Sequence, residues 1–152
     1  MIKIYNKILL AIDGSYHSNN ATEQVIEFQK CWNCNVVIFH SIKHHKLPKS
    51  LYPDAILPVE IYRNIEEVSK KAGELLLEKT KKVFDKAQYP AETRLIEDDS
   101  PEEYITRIVE KENFDLVVLG SKGHHSKIKE VVMGTVSTKV VKNAPCDVLV
   151  VK

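Results

Sequence analysis

Gly120-Ser121-Lys122-Gly123, followed by Gly134-Thr135, are the residues whose types and spacing best suit chemistry in this chain. Three of the five glycines fall between positions 120 and 134, directly after the apolar run Phe114-Asp115-Leu116-Val117-Val118-Leu119. Glycine tolerates positive φ and lets a bound group approach the backbone closely. A helix opening at Gly134 adds free N–H donors and a partial positive charge, a combination that favours phosphate. The pattern predicts a phosphate or nucleotide site. Asp13 ends a second apolar run, Lys7-Ile8-Leu9-Leu10-Ala11-Ile12, and offers ribose hydroxyls an acceptor if the two runs are neighbouring strands.

Other chemistries fit less well. No Gly-x-x-x-x-Gly-Lys-Ser/Thr occurs, and no Gly-x-Gly-x-x-Gly follows the first strand. Gly-x-x-Gly also clamps RNA in KH domains, but here it follows a parallel-type strand in a nearly neutral chain. Lysine plus arginine number 22 against 21 aspartate plus glutamate, so no net field favours nucleic acid or an anionic membrane. Hydrolysis requires a group that orients water; Asp13, His124 and His125 have suitable chemistry, yet nothing fixes them there, and no catalytic residue is assigned. Cys31-Trp32-Asn33-Cys34 has redox spacing but falls at the C-terminal end of the first predicted helix, where the dipole opposes a thiolate. Zinc would need His44-His45 or His124-His125 as further ligands, a spacing that matches no standard pattern. Both pairs read as solvated loop histidines. No metal site is expected from the protein alone, and Mg²⁺ or Mn²⁺ would arrive with the phosphates.

These residues need a scaffold, and strand and helix signals alternate along the whole chain. The run 7–12 is stopped by Asp13-Gly14-Ser15 and leads into a helix with Ala21, Val25 and Phe28 on one face, capped by Ser15 or Ser18. Asn35–Ile42 is a β-branched strand. Residues 43–58 carry Pro48, Pro53 and Pro58 without a clean period and read as a long connection of the kind used for binding lids. From Val59 to Ala87, a helical stripe is expected from Ile61, Ile65, Val68, Ala72, Leu75 and Leu76, with Gly73 as its weak spot. Ala91–Ile96 is a more polar strand near a sheet edge. Ser100-Pro101-Glu102-Glu103 opens a helix with a capping box, and Ile105, Ile108 and Val109 supply its buried face. Phe114–Leu119, a helix over Thr135–Lys142 and a strand over Cys146–Val151 complete the chain.

This order predicts an α/β fold: a single domain over 1–152, with an open five-stranded parallel sheet and helices on both faces. The 152 residues suffice for a substantial core. The N-terminus is too polar for a signal peptide, and no apolar run nears the roughly 20 residues that span a bilayer. A cytoplasmic protein with free thiols is expected.

The chain resembles the universal stress protein family over essentially its whole length. The matching residues are Ala11-Ile12-Asp13-Gly14-Ser15 with Ser18 and Ala21, Phe39-His40-Ser41-Ile42, Ser100-Pro101 with Ile105, Asp115–Ser121, Gly134-Thr135-Val136-Ser137 and Ala144-Pro145-Cys146. The resemblance implies a Rossmann-like, adenine nucleotide alpha hydrolase-like sheet of strand order 3-2-1-4-5. It also implies ATP, or AMP or ADP, as ligand. Asp13 and Gly120 would hold the ribose and Ile42 would present backbone groups to adenine. Ala11, Ile12 and Leu119 would line the base pocket. Gly123, Gly134, Thr135, Val136 and Ser137 would hold phosphates, with Ser15 and Ser121 in the same loops. Lys122 is added on charge alone, its alternative being a solvated loop lysine.

Two departures from the family pattern stand out. ATP-binding members carry Gly-x2-Gly-x9-Gly-Ser/Thr, whereas here His124 to Met133 makes ten residues, a change that favours AMP or ADP over ATP. Asp99 stands where many members have glycine, and a carboxylate there would repel phosphate unless it is offset. Members commonly dimerise through the last strand, so Val148, Leu149, Val150 and Val151 are expected to form a homodimer interface, which Asp147 in place of a common proline would weaken or re-register. A nucleotide-binding regulatory or stress-response module with an unknown protein partner is therefore expected. A nucleotide-free scaffold of the same fold and a slow ATPase remain as alternatives.

Overall fold

The strands form where apolar, β-branched residues run without helical period. In the computed structural model, which describes residues 4–42, 59–123 and 133–152, these are β1 (Lys7–Ala11), β2 (Asn35–Ser41), β3 (Glu92–Ile96), β4 (Leu116–Gly120) and β5 (Asp147–Val151). All pair in parallel, in the order β3-β2-β1-β4-β5. Chain order reverses between β1 and β4, which places the switch point at their carboxyl ends. The β1–β4 register sets Leu10 against Val118, so Asp13 leaves the sheet at the level of Ser121.

Between the strands lie α1 (Tyr16–Trp32), α2 (Val59–Lys86), α3 (Pro101–Lys111) and α4 (Thr135–Asn143). Alternation along β1 sends Ile8 and Leu10 to one face, where they meet Ala21, Val25 and Ile26 of α1 and Leu77 and Phe84 of α2. Leu9 points to the other face, against Tyr104, Ile105, Ile108 and Val109 of α3 and Val140 of α4. Ile8, Leu9, Leu10, Ile38, Val117 and Val118 are wholly excluded from solvent, as central strands covered on both sides must be.

Helix α2 corrects the expected stripe. Ile61, Ile65, Val68, Ala72 and Leu75 are all exposed, Val68 to 67% and Leu75 to 53%. The helix meets the sheet instead through Gly73, Leu76, Leu77 and Phe84. Gly73 is the reason: a Cβ there would stand 2.8 Å from Leu95 Cδ1 and 3.2 Å from His40 Cδ2. The glycine marks where α2 lies closest to β2 and β3, and that approach fixes the helix's rotation about its axis. It is a contact point rather than a weak spot. At α3 the expected capping box is present, Ser100 Oγ accepting from Glu103 N while the Glu103 carboxylate accepts from Ser100 N.

Candidate functional site

The segment leaving β1 is shaped by local hydrogen bonds. Gly14 takes φ 79°, the one positive-φ glycine among the described residues, and turns the chain into α1. Ser15 is the N-cap of α1, its Oγ accepting from Ser18 N at 3.2 Å. Ser18 in turn accepts from Asp13 N at 3.1 Å. Asp13 Oδ1 accepts from Ser15 N at 2.9 Å, which fixes an exposed carboxylate at the strand exit.

Across the switch point, the loop after β4 packs against α1. A Cβ on Gly120 would lie 2.7 Å from the His17 carbonyl carbon and 2.7 Å from Ser18 N, both backbone atoms, so any other residue would push α1 away. A Cβ on Gly123 would stand 2.7 Å from Asp13 Oδ2. The two strand exits thus face each other, as the sequence argument requires. Of the two uses expected for these glycines, the structure shows close approach and not positive φ. Neither Gly120, Gly123 nor Gly134 has positive φ; they are sites of close approach.

Ser121 joins three elements. Its amide donates to Val151 O at 2.7 Å, its carbonyl accepts from Gly134 N at 2.6 Å and from Ser137 Oγ at 2.9 Å, and its Oγ lies 3.0 Å from His17 Nδ1. Ser15 Oγ adds a bond to Lys122 O at 3.2 Å. Ser121 and Ser137 are 1% and 2% exposed, with hydroxyls engaged inside the protein. Both were expected among the ligand's contacts; within the protein their hydroxyls tie the 120–123 loop to α1 and α4. The hydroxyl of Ser15 and the amide of Gly134 are likewise bonded within the protein.

The first turn of α4 has no side-chain cap among the described residues: Gly134 stands at the N-cap without a side-chain hydrogen bond to the amides of Thr135, Val136 and Ser137. Thr135 is exposed, Val136 half-buried, and Lys122 half-buried on the facing loop. At the other end of the crevice, the Ile42 amide donates to Ile96 O at 2.8 Å, which leaves its carbonyl as the acceptor. Ile12 and Leu119 are buried and Ala11 is half-buried beside them. His40 Nδ1 lies 2.8 Å from Ile12 O and holds that stretch of backbone.

Asp99 is offset from within the protein. Its carboxylate pairs with Arg107, and its carbonyl accepts from Ser41 Oγ. Asp147 accepts from Tyr5 Oη at 2.8 Å. Cys34 is buried, and that burial pushes its thiol pKa up, while Cys31 is exposed. The pair therefore lacks the thiolate environment of a redox motif. Among the described residues no group of three or more His, Cys, Asp or Glu side chains gathers to hold a metal ion, and no helix is long and apolar enough to cross a membrane. His44, His45, His124, His125 and the 43–58 connection lie outside the described residues. Sequence reasoning missed His17: its partner lies 104 positions away, and no local spacing signals such a contact.

Comparison with known proteins bears on the fold and the family. The chain is 31% identical over 150 residues to universal stress protein MJ0531 of Methanocaldococcus jannaschii, covering 98% of this chain and 83% of that protein. Its fold matches universal stress protein UspA from Lactobacillus plantarum with a TM-score of 0.81 and 19% identity, over 99% and 100% of the two chains. A universal stress protein in complex with cAMP matches at 0.70 and 19% identity, over 99% of both chains. A family protein from Arabidopsis thaliana with AMP bound matches at 0.66 and 21%, over 97% and 91%. At those identities the solved structures establish the fold. A family model described as Universal stress protein family matches residues 4–152, and with the relative from M. jannaschii it shows that this chain belongs to that family.

Proposed function

We propose that this protein is an adenine-nucleotide-binding regulatory module that works as a homodimer. The observation that carries the reading is the convergence, at one switch point, of Asp13, the 120–123 loop and the first turn of α4 without a side-chain cap. An anion suits the N-terminus of α4, where Thr135, Val136 and Ser137 offer amides, and Lys122 adds charge. Asp13, fixed through Ser15 N, suits a ribose hydroxyl near Gly120. The Ile42 carbonyl suits the exocyclic amine of adenine, with Ala11, Ile12 and Leu119 beside the base. AMP and cAMP in structural neighbours support the ligand class. AMP or ADP is favoured over ATP by the ten-residue span between Gly123 and Gly134. A divalent cation would sit on the phosphates. Calorimetric titration with AMP, ADP and ATP tests this reading. Binding lost in Asp13→Ala supports it, and no heat with any of the three at millimolar concentration overturns it.

The dimer is proposed through β5, which pairs with β4 on one side only. Its half-buried Val148, Leu149, Val150 and Val151 leave an apolar edge that strand pairing would cover. Sedimentation of Leu149→Lys should show monomer where the unaltered chain shows dimer. A nucleotide-free scaffold is the second reading, favoured by how closely Asp13 Oδ2 lies against Gly123. It predicts that Gly123→Val leaves every property but stability unchanged.

A further inference from the structure

Two parts of the proposed site are held differently. The base end rests on β1 and β2, whose backbone is fixed by strand pairing and by the Ile42–Ile96 and His40–Ile12 contacts. The phosphate end rests on a loop, and the position of that loop depends on Ser121. The Ser121 carbonyl takes both Gly134 N and Ser137 Oγ, so wherever Ser121 moves the first turn of α4 must follow. Among the described residues its side chain has one partner, the His17 ring at 3.0 Å. The His17 backbone is seated on Gly120, and its ring lies edge-on to the exposed Tyr16 ring with centroids 5.6 Å apart.

We propose that His17 is a positioning residue for the phosphate-binding half of the site. Through Ser121 it sets where the α4 amides stand relative to Asp13, and it has no part in holding the base. The His17–Ser121 contact is part-buried, so losing either partner leaves the loop, among the described residues, to the Ser121 N–Val151 O and Ser15 Oγ–Lys122 O bonds and lets Ser121 shift. The effect belongs to the phosphates because the chain of contacts runs His17 to Ser121 to Gly134 and Ser137, whereas the Ile42 backbone is bonded to Ile96. The inference rests on the nucleotide reading above.

The test compares adenosine with ADP by calorimetry for the unaltered protein, His17→Leu, His17→Asn and Ser121→Ala, each checked for folding by its thermal transition. The ADP-to-adenosine affinity ratio should fall about tenfold in His17→Leu and Ser121→Ala, with adenosine affinity unchanged. His17→Asn, which keeps a polar atom near the Nδ1 position, should restore the ratio to within about threefold. Ser121→Ala removes the same bond while keeping the backbone contacts, so it answers the question if His17→Leu fails to fold. An unchanged ratio in Ser121→Ala, or an equal loss of adenosine and ADP affinity, overturns the positioning role while leaving the nucleotide reading intact. If the unaltered protein binds neither ligand, the nucleotide reading fails and this inference falls with it.

Discussion

Gly120 and His17 touch so closely that no side chain fits between them: a Cβ on Gly120 would lie 2.7 Å from the His17 carbonyl carbon and 2.9 Å from its Cβ. The carboxyl end of β4 and the amino end of α1 are in this way brought to van der Waals distance, and α1 can cap the switch point instead of standing above it. Gly123, three residues on, meets among the described residues only the tip of Asp13. Two glycines of one motif thus meet different neighbours, the first a helix backbone and the second a side chain.

Gly120→Ala should therefore destabilise the fold by about 1–3 kcal/mol, the usual cost of overpacking against atoms that cannot swing aside. Gly123→Ala should shift stability by no more than about 0.5 kcal/mol, since the residue is exposed and its neighbour is a side chain. Nucleotide affinity should nonetheless fall at least tenfold in Gly123→Ala, because the new methyl group and Asp13 compete for the crevice. Urea titrations paired with calorimetry separate the two effects.

Helix α2 offers a second contrast. Leu77 is 5% exposed and joins Phe84 and Ile38 in the core, whereas Leu75, two positions away, is 53% exposed. Leu77→Ala should cost about 2–5 kcal/mol, and Leu75→Ala within about 0.5 kcal/mol. Equal losses measured by urea denaturation would mean that α2 sits on the sheet through the stripe of Ile61, Ile65, Val68 and Leu75 after all.

The difference between those two leucines shows where sequence is legible. Strand runs such as Ile8–Ile12 and Leu116–Leu119 announce themselves, because burial on both faces demands uninterrupted apolar residues. The Ser100 capping box is legible because all its atoms come from four consecutive residues. The rotation of α2 is not, because it depends on Gly73 meeting Leu95 and His40, residues of other elements. The site divides in the same way. The positions of Asp13 and Gly123 follow from strand order, but the inward turn of the Ser121 and Ser137 hydroxyls follows from contacts spanning the chain. The glycines of 120–134 were visible as glycines, with positive φ or close approach as their use; that Gly120 closes on the backbone of α1 was not.

Cys34 gives a pH-dependent expectation. Burial raises its pKa in the folded state, so folded protein holds the thiol proton more tightly than unfolded chain does. That contribution is fully present below the unfolded thiol pKa of about 8.5 and is lost as pH rises through the raised value. Stability should fall with pH on the alkaline side, and Cys34→Ala should flatten the slope. Alkylation by iodoacetamide at neutral pH should label Cys31 well before Cys34.

Asp99 presents a carboxylate near the exit of β2, tied there by the bond from Ser41 Oγ to its carbonyl, and Arg107 neutralises it one helix away. The pair is part-exposed, so its contribution to stability is small, below about 1 kcal/mol. Its consequence for a polyanionic ligand is larger in sign than in size. With Arg107→Ala the Asp99 charge is uncompensated, and ADP affinity should drop about two- to threefold at low ionic strength, an effect that screening removes in high salt. Adenosine, which carries no charge, should be unaffected. Asp99→Asn alone should change ADP affinity by less than about twofold, because it removes a charge that is already balanced. The two substitutions together should restore the affinity that Arg107→Ala loses, a coupling that a double-mutant cycle reads directly. If Arg107→Ala weakens adenosine and ADP alike, Arg107 acts through the packing of α3 and not through the charge on Asp99.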